Sequence, residues 1–353
     1  MHGKGRISAT LWVTCWATLW VTCWATRAGT LWRNSLAGML ALLAATGSQA
    51  QQAFPTRPIT IVVPAAAGGP TDTVARLIAE PMGRTLGQQI VVENVGGAGG
   101  TIGVGRVAKA AGDGYTLLVW HIGQSTAPAL YDNLRYDVFA DFDPIGRITD
   151  VPMTIVAKKA LAAKDIGELI AWLKEKGEQV TYAHAGIGSA AHLCGLMLMS
   201  ALNIKMNAVV YRGTGPAMND LVGGQFDMMC DQTTGTANQI KAGTIKGFAA
   251  TTKSRIPLLS ELPTLDESGV QGFEVSAWHA LWGPKGLPKE VVEKLTAALQ
   301  GALQEPVVIE RMAGLATVPV AQDLATPAAL KAQLELEVAK WGAVIRAAGV
   351  KAN

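Results

Sequence analysis

The first fifty residues of this 353-residue chain contain no acidic side chain, and that absence separates them from everything downstream. Four basic residues stand there (Lys4, Arg6, Arg27 and Arg33), followed by the apolar run Leu36–Ala45 and the small-x-small triplet Ser48-Gln49-Ala50. This order reads as a secretory signal peptide that ends near residue 50. Upstream, the octapeptide TLWVTCWA occurs twice, at Thr10–Ala17 and Thr18–Ala25, and uses two of the four cysteines and four of the ten tryptophans. It reads as an aberrant N-terminal extension, a DNA-level duplication or a misplaced start, with the working leader beginning near Arg27. A long apolar run is missing as well. Leu11–Ala25 is short for a membrane span and diluted by Thr, Cys and Trp, and Met39 stands where a lipidated cysteine would follow Leu36-Ala37-Gly38. Export to the periplasm is the expectation.

Charge is also scarce, at 16% of residues. The formal net charge of +3 (30 basic, 27 acidic) becomes −1 once the four basic leader residues are set aside. A near-neutral mature chain gives no reason to expect nucleic acid or a membrane surface as partner. Two cysteines remain, Cys194 and Cys230; one disulfide or two buried thiols fit equally well. The four remaining histidines (His121, His184, His192, His279) show no HxxxH or HExxH spacing, so no metal is expected; His184, His192 and Asp231 are the one conceivable set. The segment Gly103-x-Gly105-x-x-Ala108 matches a dinucleotide fingerprint but lies inside a predicted helix, and the next strand ends Trp120-His121 rather than on an acid. Close helix–sheet packing explains those glycines better. Neither Gly186-Ile187-Gly188-Ser189-Ala190 nor Gly123-Gln124-Ser125-Thr126-Ala127 completes a nucleophile elbow. No cofactor and no catalysis are expected.

What the chain does have is a repeated junction. In ITIVVPAAAGGPTDTVAR, Ile59–Arg76, a β-branched run stops at Pro64, the pair Gly68-Gly69 follows, and Thr71-Asp72 opens an amphipathic helix. Such a junction presents free N–H groups and the positive end of a helix dipole, which suits an anion. Strand and helix patterns alternate in this way throughout the mature chain, and the continuous apolar strands predict parallel-rich sheets with helices on both faces. Two blocks are visible, about Phe54–Val151 and Pro152–Val275, followed by a mainly helical tail from Lys289 that is too poor in strands to stand alone. The chain should therefore cross between two α/β lobes near Thr154 and near Trp278: lobe 1 from residues 54–153 plus 279–353, lobe 2 from residues 154–278. A ligand would sit in the cleft between them. Trp278 and Trp282 at the second crossing are core or hinge by default, cleft lining by the sharper reading.

Ligands of such sheets bind beyond the carboxyl ends of the strands. There the first lobe offers Ala66, Gly68, Gly69 and Asp72, then His121 and Ser125. The second offers Ala185, Gly186, Gly188, Ser189 and His192, then Tyr211, Arg212 and Gly213, and finally Asp231. Gly, Ser and Thr dominate these loops, forming a surface of backbone N–H and hydroxyl donors suited to carboxylate oxygens. Any one Gly-rich junction is most often only a tight turn; several at one cleft carry more weight. Arg212, the one obvious cation in the set, is as readily a surface residue. Asp231 can meet an amine on the ligand, cap the helix near Ala237, or order its own loop.

The ordered runs PITIVVPAAAGGPTDTVARLIAEPM, LGQQIVVENVGGAGGTIGVGRVAKAAGDGYTLL, HAGIGSAAHL, VVYRGTGPAMNDLVGGQFDMM and LPTLDESGVQGFE resemble the periplasmic substrate-binding proteins of tripartite tricarboxylate transporters, the Bug-type receptors. The resemblance covers essentially all of Phe54–Val350. It implies a two-lobed, type II periplasmic-binding-protein fold that closes on a small organic carboxylate and delivers it to a membrane permease; a monomer is expected. The family's first-lobe loop matches at Gly68, Gly69 and Asp72, its second-lobe loop at Ala185, Gly186, Gly188, Ser189 and His192, its Tyr-Lys-Gly motif at Tyr211-Arg212-Gly213, and its strand-end Asp at Asp231. Ala65 and Ala67 replace the usual Phe and Pro, Pro70 is added, and His184 replaces the common Ser, which implies a roomier pocket near Ala65. Two rival readings are a ligand-presenting sensory subunit and a periplasmic hydrolase using Ser125 or Ser189.

Overall fold

The computed structural model describes residues 54–352, Ala348 excepted; the leader and its repeat lie outside the described residues. The strands are β1 (Ile59–Val63), β2 (Ile90–Asn94), β3 (Thr116–His121), β4 (Phe142–Lys158), β5 (Thr181–His184), β6 (Asn207–Val210), β7 (Met228–Gln232), β8 (Ile245–Ala250) and β9 (Ser276–Pro284). The α-helices are α1 (Pro70–Leu86), α2 (Thr101–Ala108), α3 (Gly123–Leu130), α4 (Ile166–Lys176), α5 (Ala190–Leu202), α6 (Thr214–Val222), α7 (Thr233–Lys241), α8 (Lys289–Gln304), α9 (Pro306–Gly314) and α10 (Pro327–Ala347).

The run Ile59–Val63 forms a strand because both of its faces find apolar cover. Ile59, Ile61 and Val63 pack with Val74, Ile78 and Met82 of α1 and with Leu295 and Leu299 of α8. Val62, on the opposite face, packs with Val104 and Val107 of α2. Burying each such side chain contributes roughly 1.5–3 kcal/mol. Gly103 explains the fingerprint-like spacing: a Cβ there would stand 2.6 Å from the Val95 carbonyl and 3.0 Å from Pro64, so it is the close approach of α2 to the first strand that requires glycine.

The first sheet runs β2-β1-β3-β9-β4 and the second β4-β7-β5-β6, with β8 on the other side of β4. Pairing is parallel among β2, β1 and β3 and among β6, β5 and β7. Strands β9 and β4, however, pair antiparallel with their neighbours, so the sheets are mixed at their shared centre. The 17-residue β4 pairs with β9 from Phe142 to Pro152 and with β7 and β8 from Met153 to Lys158, thereby belonging to both sheets. Pro144, Gly146, Asp150 and Pro152 hid its first half from a propensity reading. The strand accommodates them by register shifts between Pro144 and Gly146 and between Arg147 and Thr149.

The tail closes the molecule in two ways. Helices α8 and α9 cover the first sheet through Leu295, Leu299, Val308 and Met312. In α10, Trp341 and Ile345 instead line an apolar groove with Leu193 and Met197 of α5. Trp278 and Trp341 both donate their indole N–H to Glu337, at 3.1 and 2.8 Å. Trp278 and Trp282 are core residues, 3% and 1% exposed, and the cleft-lining reading of them is set aside. Cys194 on α5 and Cys230 on β7 form a disulfide with Cα atoms 6.1 Å apart, which resolves the open choice between a bridge and two thiols. None of the described helices is long and apolar enough to cross a membrane.

Candidate functional site

A cavity of about 460 Å³ lies between the two sheets, lined from both sides by strand-to-helix loops. That volume is in the range of roughly 300–1,000 Å³ usual for small-molecule sites. The N-termini of α1, α2, α5, α6 and α7 all contribute to its wall. At the starts of α1, α2, α6 and α7 no side chain caps the helix. The first N–H groups of a helix lack internal partners, so uncapped starts facing one cavity form an anion cradle made of dipoles rather than charges.

Of the fifteen residues singled out from sequence, nine line this cavity. Gly69 and His121 come from the side of the first sheet; Ala185, Gly186, Ser189, Tyr211, Arg212, Gly213 and Asp231 come from the side of the second. The other six stand behind the wall, each for a visible reason. Asp72 orders its loop, pairing with Arg76 at 3.0 Å and accepting the Gly68 N–H at 2.9 Å, so Gly68 and Asp72 shape the junction rather than line it. Ala66 abuts Gly213, whose missing Cβ would stand 2.9 Å from it. Ser125 is not in a loop: it lies inside α3, fully buried, with its hydroxyl donating to the Ile122 carbonyl at 2.7 Å. His192 accepts the Gly188 N–H on Nδ1 at 3.2 Å and stabilises the loop from behind. Ser189 caps α5, accepting the His192 N–H at 3.2 Å. Neither serine hydroxyl is hydrogen-bonded to a histidine ring, and the described residues hold no cluster of three or more metal-ligating side chains.

The histidines provide no positive charge. His121 accepts the Gly123 N–H on Nδ1 and His184 accepts that of Gly186, the same two-residue bond at the ends of β3 and β5. Burial holds His121 well below its ordinary value, with neighbouring His279 adding to the effect. Burial likewise lowers His184, and brings His192 and His279 down to about 3. All four are neutral at physiological pH, and Arg212 is the one cationic side chain among the described cavity-lining residues.

Asp231 is the opposite of Asp72. It is 1% exposed, and neither carboxylate oxygen completes a hydrogen bond. Burial pushes its pKa up to about 7, against a weaker pull from the Gln232 N–H and the Thr214 hydroxyl. It does not cap α7, whose start carries no side-chain cap; the capping alternative is dropped.

Sequence reading missed the loop Gly96–Gly100, all five residues of which line the cavity. The signal was available, since it is another glycine-rich strand-to-helix junction. Gly97, Ala98, Gly99 and Gly100 all have positive φ, and a Cβ on Gly99 would collide with the Ile187 carbonyl and the Tyr131 hydroxyl. Tyr131, also missed, lies within hydrogen-bond distance of the Ala98 carbonyl (2.8 Å) on one wall of the cavity and the Ile187 carbonyl (3.3 Å) on the other. No sequence pattern marks it. Ala65 and Pro70, two of the substituted positions, line the cavity, whereas Ala67 does not.

A mixed two-sheet α/β architecture with a cavity between sheets joined by β4 is that of a periplasmic binding protein. Residues 74–350 match the model of the tripartite tricarboxylate transporter family receptor, and the chain belongs to that family. A protein from the ttuE-ttuC' intergenic region of Agrobacterium vitis is 54% identical over 302 residues, covering 86% of this chain and 87% of its own. Among solved structures, the periplasmic binding protein BugD is 50% identical with a TM-score of 0.83, covering 84% of this chain and 99% of its own. MatC from Rhodopseudomonas palustris with bound malate is 39% identical with a TM-score of 0.80, covering 83% and 100%. A further R. palustris protein, with adipate, is 31% identical with a TM-score of 0.80, covering 84% and 99%.

Proposed function

We propose that this chain is an exported solute receptor that binds a small organic carboxylate between its lobes and presents the closed form to a tripartite tricarboxylate-type permease, without turnover. The observation that carries this reading is the convergence of uncapped helix N-termini on one cavity whose lining histidine, His121, is neutral. Such a wall binds carboxylate oxygens through fixed N–H dipoles, and desolvated hydrogen bonds to a charged acceptor are the stronger kind. The malate and adipate held by two relatives fit the same chemistry.

Two lobes, residues 54–153 plus 279–353 and residues 154–278, hinge where β4 passes from β9 to β7 and where β9 begins. Ligand contacts to both walls favour the closed arrangement by differential affinity. Export by the N-terminal leader puts the receptor in the compartment where its disulfide is stable. Thermal unfolding of the mature chain with mono-, di- and tricarboxylates tests the reading. A ligand at a hundred times its Kd stabilises by about 2.7 kcal/mol and raises Tm by several degrees; no shift across the panel would falsify it.

A further inference from the structure

We propose that residues 350–352, which follow α10, are a strap that closes the cavity beside α3 and limits the length of the carboxylate admitted. This rests on the carboxylate reading above and deepens it to linear dicarboxylates, whose two ends can meet N–H groups on both walls. Ala352 lines the cavity and is 8% exposed. The chain reaches it because Gly349, at φ 64°, turns out of α10. The Gly349 N–H donates to the Arg346 carbonyl at 3.1 Å and the Val350 N–H to that of Ile345 at 3.3 Å, bonds that satisfy carbonyls left over at a helix end. The strap then leaves its own helix and joins another. The Ala352 N–H donates to the Leu130 carbonyl at 2.9 Å, and Lys351 pairs with Asp132.

The end of α3 is where the two walls meet. Tyr131 reaches the Ala98 carbonyl on one and the Ile187 carbonyl on the other, and a Cβ on Gly188 would stand 2.7 Å from Leu130 Cδ1. A ligand chain that outgrows the space between the walls on this side meets Ala352. The strap belongs to no helix or strand. It is held by one backbone hydrogen bond, by the packing of Val350 against the core, and by an ion pair whose side chains are 47% and 66% exposed. An exposed ion pair adds little, so this piece of wall opens locally more readily than the sheets beside it. The side chain it presents to the cavity is a methyl group, with no donor, acceptor or charge. Ala352 therefore reads size rather than chemistry, and the strap can be changed without touching the N–H groups that hold the carboxylates.

The test is calorimetric titration with the linear dicarboxylates from succinate to sebacate, on the mature chain, on a chain ending at Gly349 and on Ala352→Leu, with folding verified by circular dichroism. For the mature chain, affinity is expected to fall about tenfold or more over the two methylenes beyond its best ligand. In the chain ending at Gly349 that fall should shrink below about threefold, and in Ala352→Leu it should steepen to about thirtyfold. If the shortened chain fails to fold, Ala352→Leu decides alone. A mature chain indifferent to ligand length, or the same fall in every folded variant, overturns the strap and leaves the carboxylate receptor standing. Failure of every dicarboxylate to bind also overturns it, whereas the carboxylate reading itself is decided by the thermal panel of mono-, di- and tricarboxylates.

Discussion

Asp72 and Asp231 stand at strand-to-helix junctions on opposite sides of one cleft, 4% and 1% exposed, and their environments have opposite effects. Burial alone would raise Asp72, but the Arg76 guanidinium, the Gly68 N–H and the Asn94 side chain hold it below the ordinary carboxylate range. Asp231 has the burial with no cation beside it, only the weaker pull of the Gln232 N–H and the Thr214 hydroxyl, and rises to about 7. The first acid is an internal brace that shapes a loop. The second is a buried acid at the cavity wall whose oxygens complete no hydrogen bond. Burial therefore does not tell a structural acid from a functional one; the completeness of its hydrogen bonding does.

The difference is most sharply tested by neutralising each acid. A folded-state pKa of about 7 against an ordinary 3.8 means that the folded protein holds the Asp231 proton more tightly than the unfolded chain does. The resulting penalty is absent below the unfolded value, grows as pH rises toward 7 and levels off above it. At pH 8 Asp231→Asn should raise the ligand-free unfolding free energy by up to about 4 kcal/mol, and at pH 4 by almost nothing. Urea unfolding at both pH values measures this; equal stability of the two chains at pH 8 would mean that Asp231 already has a partner.

The disulfide bears on one side of the comparison only, since it ties α5 to β7, the strand that ends beside Asp231. Replacing Cys194 and Cys230 with alanine should cost about 2–4 kcal/mol. Carboxyl NMR titration should then show Asp231 drifting toward its ordinary value while Asp72 stays lowered. Movement of both would mean that the bridge stabilises the whole molecule evenly.

Asp72→Asn should act with the opposite sign to Asp231→Asn. The stability that Asp72 contributes is present above the unfolded pKa and is lost as pH falls through its lowered folded value. The variant should cost about 1–3 kcal/mol at pH 7, with the deficit vanishing in strong acid. A stabilised Asp72→Asn chain in urea unfolding at neutral pH would contradict the brace assignment.

The smallest effect concerns closure. Tyr131 has one proton to share between the Ala98 and Ile187 carbonyls, so it can keep a partner when the lobes part. Tyr131→Phe should weaken ligand binding by about 2–10-fold, equivalent to a hydrogen bond of about 0.5–1.5 kcal/mol. Small-angle scattering should show the ligand-free form more open; an unchanged scattering profile and Kd would remove Tyr131 from the closure seam.

Much of this architecture can be read along the chain. The runs Ile59–Val63 and Met228–Cys230 are apolar because both faces of their sheets are covered, and periodicity reports that directly. The Gly-rich junctions likewise point to a cavity walled by helix N-termini, because loop composition determines which donors a junction presents. Residues 142–152 could not be read in this way. Their prolines and glycine contradict strand propensity, and only pairing with β9 makes them a strand. The same holds for Ser125, which looked like a loop hydroxyl and is a buried helical one.

What amino-acid order alone settled is which residues stand at strand ends, since that follows from local periodicity. Which of those residues face the ligand was settled by contacts between segments far apart in the chain. Asp72 meets a cation four residues away and is satisfied locally. Asp231 has no such neighbour, and its isolation appears only once β4, α6 and α7 are folded around it. Pairing, burial and orphaned atoms are relations across the tertiary structure, and no local pattern encodes them.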